Sequence, residues 1–155
     1  MGEKLKKRLK QSKFSSPAQE AMLNLFVTGY HLRGKIDGLF AKHGITTPQY
    51  NVLRILKGVY PDGYPRCEII SRMIEPSPDV TRLVDKLIKE KLAERSSSDE
   101  DRRQSITKIT KKGLKLLDDI LPEVHTVDAY VSHKLSDKEL EELSKLCEKI
   151  YGDEI

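Results

Sequence analysis

Polar and cationic side chains alternate with apolar residues over a short segment that begins at Ser77. The candidates for chemistry in this segment are Ser77, Asp79, Thr81, Arg82 and Lys86. Arginine and lysine pair with phosphate oxygens, and an arginine can also hold the edge of a guanine through two parallel hydrogen bonds. Aspartate can accept from cytosine, and serine and threonine suit either a phosphate or a base. These residue types suit contacts with a nucleic acid, but on helical spacing alone any small helical bundle could carry them.

A helix is the element that would present these side chains. The apolar residues recur at helical spacing and form one face, consisting of Val80, Leu83, Val84, Leu87 and Ile88. Ser77 and Pro78 are predicted to be its N-cap and first residue, so the helix is expected to run from Pro78 to Lys91. The charged residues then point outward. A structural role for Arg82, or a phosphate contact without sequence information, remains open on this pattern.

The neighbouring segments predict a helix-turn-helix followed by a β-hairpin. A short helix over about Pro65–Met73 precedes the helix above, and the connection between them is brief. Two β-prone runs, Leu92–Ser97 and Gln104–Thr110, surround a charged tip and predict the hairpin, which would be a wing. Thr46 and Gln49 form a capping box that opens an earlier helix. The predicted fold class is mainly α, with a β wing.

The sequence near both ends of the chain predicts long helices whose apolar surface is larger than one packing partner would cover. The segment after Pro17 carries apolar residues on two sides, and a helix of this kind usually packs against two partners, one of which can be another subunit. Ser136 and Glu139 form a capping box for a last helix. Its apolar residues Leu140, Leu143, Cys147 and Ile150 are spaced like a coiled-coil seam.

The composition favours one domain that works in the cytoplasm. The chain has 155 residues, of which 37% are hydrophobic, enough for one core of ordinary size. Its net charge is +4, but residues 1–112 hold 23 Lys and Arg against 13 Asp and Glu, whereas residues 113–155 hold 5 against 11. A phosphate-facing surface is therefore expected in the first part. No apolar stretch is long enough to cross a bilayer, and the charged start lacks the apolar region of a secretory signal.

Catalysis, metals and cofactors are not expected. The sequence contains no GxSxG motif, P-loop or dinucleotide fingerprint. Its four histidines form no i, i+4 pair and no cluster with cysteine, which argues against a metal site. Cys67 and Cys147 stand far apart and are interpreted as ordinary packing thiols.

Three ordered blocks of the sequence resemble the MarR family of winged helix-turn-helix transcriptional regulators. The first block is Ile45-Thr46-Thr47-Pro48-Gln49-Tyr50-Asn51-Val52-Leu53, and the second is Val80-Thr81-Arg82-Leu83-Val84-Asp85-Lys86-Leu87. The third combines Glu94-Arg95, Asp101-Arg102-Arg103 and Ile109-Thr110-Lys111-Lys112-Gly113. Ser105 and Thr107 depart from the family pattern, which usually has β-branched aliphatic residues there, so the returning wing strand is expected to pack loosely.

The resemblance implies a single domain over 1–155, with a winged helix-turn-helix part at 45–112. The segments 15–44 and 113–155 would be dimerisation helices that interlock two copies. In the wing, Arg102 and Arg103 would enter the minor groove of DNA, and Asp101 and Arg95 would orient the wing. Members of the family commonly bind aromatic anions in a crevice beside the dimer helices, which Tyr30, His31, Arg33 and Tyr50 could line. Aromatic residues at helical spacing are more often core than ligand site.

The expected function is that of a homodimeric, sequence-specific regulator that binds a near-palindromic operator in double-stranded DNA. Repression, with release by a small aromatic or anionic ligand, is the expected mode of action. The alternative is a winged-helix module for protein interaction, whose recognition helix would be neutral or apolar. A helical ligand-binding or antitoxin-like protein is a weaker alternative, because it leaves the hairpin without a role.

Overall fold

In the computed structural model, residues 2–75, 79–97 and 105–152 are described. Within these ranges there are seven helices and one three-stranded sheet. The helices are α1 (Glu3–Leu9), α2 (Pro17–Lys42), α3 (Thr47–Lys57), α4 (Arg66–Ser71), α5 (Val80–Lys89), α6 (Lys111–Ser132) and α7 (Asp137–Tyr151). The strands are β1 (Gly63–Pro65), β2 (Ala93–Ser97) and β3 (Ser105–Ile109). The predicted fold class, mainly α with a β wing, is confirmed.

The chain forms two compact units, Met1–Gly38 and Leu39–Ile155. In the first unit, Leu5 of α1 is buried, whereas most of the α2 residues are exposed. The second unit holds the main core, where α3 packs against α5, α6 and β3. Its fully buried large side chains are Leu53, Leu56, Ile69, Leu87 and Ile120. No helix within the described ranges combines the length and the apolarity needed to cross a membrane.

Side-chain caps mark where α3, α6 and α7 begin, and those of α3 and α7 are the capping boxes that the sequence predicts. The backbone N–H of Thr46 donates to Gln49 Oε1 at 2.9 Å, and Gln49 N donates to Thr46 Oγ1 at 3.4 Å. Thr110 caps α6 by accepting from Gly113 N at 3.1 Å. Ser136 Oγ donates to the Glu139 carboxylate at 2.7 Å and Ser136 N donates to it at 2.8 Å, and these two hydrogen bonds lower the pKa of Glu139. These bonds satisfy N–H groups that a helix leaves unpaired in its first turn.

The sheet contains a third strand that the sequence does not predict. β3 lies in the middle and pairs antiparallel with β2 on one side and with β1 on the other. The strand β1 has only three residues, and these include a glycine and a proline, so no alternation of polar and apolar residues reveals it. Gly63 is required there, because an added Cβ would collide with the Thr107 carbonyl oxygen.

An ion pair joins the C-terminal end of α2 to α6 within the second unit. His43 Nε2 lies 2.7 Å from Glu123 Oε1, and Lys42 Nζ lies 3.5 Å from Glu123 Oε2. The hydrogen bond with His43 is the main reason why the pKa of Glu123 is lowered, and the charge of Lys42 adds to it. Since the carboxyl binds its proton less tightly in the folded chain, the ionised form favours folding.

Replacing Glu123 with glutamine is therefore expected to destabilise the protein in a pH-dependent way. The difference in unfolding free energy between the native chain and Glu123→Gln should be fully present above the ordinary glutamate pKa of about 4.3. It should shrink as the pH falls through the lowered pKa, because the native carboxyl is then also neutral. Urea unfolding of both chains at several pH values measures this difference. A difference that stays constant across the acidic range would contradict the pairing.

Candidate nucleic-acid interface

The helix α5 presents the polar segment predicted from the sequence. Val80, Val84 and Leu87 are buried, while Thr81, Arg82, Asp85 and Lys86 are exposed. The predicted start of this helix is wrong, because its N-cap is Asp79 rather than Ser77. Asp79 Oδ1 accepts from Arg82 N at 3.2 Å, and aspartate is as good an N-cap as serine. The helix ends at Lys89 and Lys91 has a positive φ, so the helix is shorter at both ends than the predicted Pro78–Lys91.

Arg82 and Lys86 stand one turn apart and line a shared recess. This recess has a volume of about 280 Å³ and is also lined by Thr46, Gln49, Asp79 and Leu83. Within the described residues, neither the Arg82 guanidinium nor the Lys86 ammonium has a hydrogen-bond or ion-pair partner in the protein. Both cations are therefore available to an anionic partner.

Thr81 and Asp85, on an adjacent row of α5, are engaged by arginines from other elements. Arg66 Nη1 donates to Thr81 Oγ1 at 2.9 Å, and Arg95 Nη2 donates to Asp85 Oδ1 at 2.6 Å. The sequence reasoning did not single out Arg66 or Asp85. Their roles depend on hydrogen bonds between separate elements, which the sequence pattern does not show.

The predicted wing is present as the β2–β3 hairpin. Arg95 pairs with Thr107 in its register, and Ser97 pairs with Ser105. Thr107 is expected from the sequence to pack loosely, yet it is only 4% exposed, because it lies on the same face of β3 as the buried Ile109 and because α3 and α4 contact this strand. The expectation of a loose returning strand is therefore wrong at this residue. The predicted site residues Ser77, Asp101, Arg102 and Arg103 lie outside the described residues.

The predicted ligand-binding residues belong to two different units. Tyr30, His31 and Arg33 lie on α2 in Met1–Gly38, and the Tyr30 side chain is 74% exposed. Tyr50 lies on α3 in the second unit, where its ring stacks on Phe40 with the ring centroids 4.1 Å apart. The stacked geometry gives Tyr50 a packing role, and the ligand site remains a prediction.

Metal-binding geometry is not found in the part of the chain that the structure describes, where no three His, Cys, Asp or Glu residues are grouped as possible ligands. Both cysteines are free thiols; Cys67 is exposed and Cys147 is partly buried.

Known proteins with similar sequence or structure are transcriptional regulators. The chain is 32% identical over 110 residues to the HTH-type transcriptional regulator MhqR of Bacillus subtilis, covering 70% of this chain and 74% of that protein. A MarR transcription factor from Planctomyces limnophilus is 34% identical, with a TM-score of 0.68 over 88% of this chain and 98% of the other. No model of a known protein family matches the chain.

A protein with lower sequence identity to this chain has the same fold, and its structure is that of a complex with DNA. The MepR–DNA complex of S. aureus has a TM-score of 0.76 to this chain, at 21% identity over 91% of this chain and 99% of that one. The names of these proteins are those of regulators and not of enzymes, in agreement with the prediction that the chain is not an enzyme.

Proposed function

The chain belongs to the MarR family of DNA-binding transcriptional regulators, and from this premise we propose that it acts as a homodimeric repressor on a near-palindromic operator. A small aromatic or anionic ligand would release it from the DNA. The observation that carries the proposal is the helix α5, which buries one face and exposes Arg82 and Lys86 beside a β-hairpin. A polar helix next to a wing has the arrangement that reads DNA in winged helix-turn-helix proteins.

The proposed mode of binding inserts α5 into the major groove with its N-terminal end toward the base edges. Arg82, in the first turn, would hold a guanine through its two parallel N–H groups, and Lys86 would bind a base or a phosphate. Asp79, Thr81 and Ser77 complete the set of candidates from the sequence. Because Asp79 already caps the helix, any bond it makes to a base uses carboxylate lone pairs that the cap leaves unoccupied.

The wing would contact the adjacent minor groove through Arg102 and Arg103. A narrow minor groove concentrates negative potential, which favours an inserted arginine. Asp101 would orient one of these arginines. This assignment rests on the sequence motif, whereas the position of Arg95 is supported by its ion pair with Asp85.

The homodimer is supported by exposed apolar side chains in each unit. In the first unit, α2 exposes Met22, Leu25, Phe26 and Tyr30, with Phe26 65% exposed. In the second unit, α7 exposes Leu143, Leu146, Ile150 and Tyr151, with Ile150 68% exposed. Contiguous apolar surface of this kind marks an interface, and a two-fold dimer explains a near-palindromic operator.

Introducing acidic residues on α7 is expected to dissociate the dimer. In sedimentation experiments, the native protein should have a molecular mass twice the 17.7 kDa of the chain. The double variant Leu146→Glu and Ile150→Glu should shift to the mass of a single chain, because a buried interface disfavours unpaired carboxylates. Lys145→Glu, an exposed change on the same helix, serves as the control and should remain dimeric. A double variant with an unchanged mass would place the interface elsewhere.

The effector is proposed to be a small aromatic anion bound by Tyr30, His31 and Arg33 of α2. Tyr30 exposes a large ring, and Arg33 supplies a cation three residues along the same helix. An aromatic ring and a carboxylate would suit these two groups. Substituting Tyr30 should change the ligand concentration that releases the protein from DNA.

Selection of bound sequences from randomised duplexes, followed by gel-shift titration, tests the proposed function. An operator should emerge with two related half-sites, and its affinity should fall steeply as salt rises. The operator found can then be titrated with candidate phenolic acids. A failure to enrich any sequence, with no salt-sensitive binding, would favour the protein-interaction alternative.

Replacing Arg103 with alanine is expected to weaken operator binding and to flatten its dependence on salt. For every phosphate that the protein no longer neutralises, the slope of log affinity against log salt becomes shallower by about 0.9. The change should be largest on operators with A·T pairs flanking the major-groove contacts, where the minor groove is narrow. Lys138→Ala, which removes a cation at the start of α7, is the matched control. Equal affinities and slopes for Arg103→Ala and the native protein would exclude the minor-groove role.

A further inference from the structure

Two arginines from neighbouring elements converge on one row of α5. Arg66 is the first residue of α4 and donates to Thr81 Oγ1, while Arg95 lies in the middle of β2 and donates to Asp85 Oδ1. Thr81 and Asp85 are four residues apart, so they lie one above the other on the helix surface. The same row of α5 is therefore tied both to the helix before it and to the strand after it.

The polar surface of α5 is thus divided into two rows with different surroundings. Arg82 and Lys86 border the recess at the start of α3. Thr81 borders a second recess of about 490 Å³, together with Arg66, Arg95 and Thr107. The first row offers cations that the described part of the protein leaves unpaired, whereas the second row is already hydrogen-bonded to other elements.

We propose that Thr81 and Asp85 are positioning residues that brace α5 against α4 and the wing, while Arg82 and Lys86 read the DNA. The inference rests on the proposed function and assigns separate tasks to the two rows. Through Arg95 and Asp85, the wing strand β2 and the recognition helix are held at one angle, so that major-groove and minor-groove contacts are made together.

Electrostatics favour positioning over direct contact for Asp85. An unpaired carboxylate on a surface that faces phosphates would repel them, and the pair with Arg95 removes this repulsion. The pair is also a poor source of fold stability, since the Arg95 and Asp85 side chains are 49% and 53% exposed. A short, exposed ion pair between two DNA-facing elements is better explained by orientation than by stability.

The test compares affinity for the selected operator with affinity for a scrambled duplex, because their ratio cancels electrostatic effects common to all DNA. Asp85→Asn should raise the affinity for scrambled DNA by removing a negative charge, yet lower the ratio by at least about threefold. Arg95→Gln should lower the ratio similarly. The charge-swapped double variant, Asp85→Arg with Arg95→Asp, keeps the net charge and should return the ratio to within about twofold of the native value.

The hydrogen bond between Arg66 and Thr81 is tested by a separate double-mutant cycle. Thr81→Val and Arg66→Gln should each lower the ratio, and their effects should be non-additive because one contact joins the two side chains. Thr81→Ser keeps the hydroxyl and should restore the ratio. Additive effects of Thr81→Val and Arg66→Gln would show that the threonine acts without Arg66, and would overturn this half of the proposal.

The matched control is Asp118→Asn. Asp118 forms an exposed ion pair with Lys57 at 2.7 Å, between α3 and α6, and its removal should leave the ratio unchanged. An unchanged ratio in Asp85→Asn would overturn the brace. A reduced ratio that the charge swap fails to restore would also overturn it, because Asp85 would then contact the DNA itself.

A measurement without DNA separates this proposal from the proposed function. Backbone ¹⁵N relaxation of the β2 and β3 amides should show larger fast motion in Asp85→Asn, native values in the charge swap and native values in Asp118→Asn. Unchanged motion in Asp85→Asn would overturn the brace, whatever the DNA titrations show. Absence of any operator preference in the native protein would instead overturn the proposed function.

Discussion

Replacing Arg82 with alanine is expected to weaken binding to each operator half-site by about 5- to 150-fold, the range set by about 1–3 kcal/mol for a bidentate arginine–guanine pair. Arg82 lies in the first turn of α5, is exposed, and has no side-chain partner among the described residues. Its guanidinium is therefore not committed to holding the fold, and the substitution should leave the unfolding free energy nearly unchanged. The weakening should concentrate at one base pair of each half-site.

Titration of the native protein and Arg82→Ala against a set of single-base operator variants measures this effect. If Arg82 reads a base, the variant should no longer distinguish the bases at that position, while its discrimination elsewhere persists. If Arg82 binds only a phosphate, all sequences should weaken equally and the salt slope should become shallower by about 0.9 for each of the two subunits. Arg54→Ala removes another exposed arginine, outside α5, and should leave base discrimination intact. Full operator affinity in Arg82→Ala would remove it from the interface.

The sequence predicts the elements of the interface well where local chemistry decides them. The apolar residues of α5 repeat with the helical period, and β3 contains the β-branched residues Ile106, Thr107 and Ile109, so both elements are predicted at the right place in the chain. The strand β2 has no β-branched residue, and the charged segment between the two runs is what predicts the hairpin. The predicted start of α5 is misplaced by two residues because Ser77 and Asp79 are both good caps. Sequence preference alone does not decide between two such residues so close together.

Contacts between distant residues account for what the sequence does not predict. The strand β1 exists because β3 offers it an edge, and its three residues have no strand pattern of their own. Thr81 follows its partner Arg66 by 15 residues, and Asp85 precedes its partner Arg95 by 10 residues. Side-chain pairing between separate elements leaves no periodic pattern in the sequence. The burial of Thr107 also depends on distant contacts, since α3 and α4 pack against β3.

Close contact between backbones explains why α6 carries a glycine in its first turn. Gly113 has no positive φ angle to require glycine, and alanine would ordinarily favour a helix at this position by about 1 kcal/mol. An added Cβ, however, would collide with the Leu92 carbonyl oxygen and lie 2.7 Å from Ile109 Cγ1. That carbonyl also accepts from Thr110 N at 3.1 Å, so it cannot shift without weakening the bond beside the helix cap.

Gly113→Ala is therefore expected to destabilise the protein by about 1–3 kcal/mol, because overpacking against backbone outweighs the gain in helix propensity. The collision lies where β2 begins and β3 ends, so operator affinity should fall as well. The matched control is Gly34→Ala in α2, where an added Cβ meets no atom within 4 Å. That change should stabilise the protein by about 0.5–1 kcal/mol. Urea unfolding of the three chains at one protein concentration measures both effects. The two substitutions are chemically identical, so the same sign of change in both would show that contact with Leu92 is not what requires glycine at residue 113.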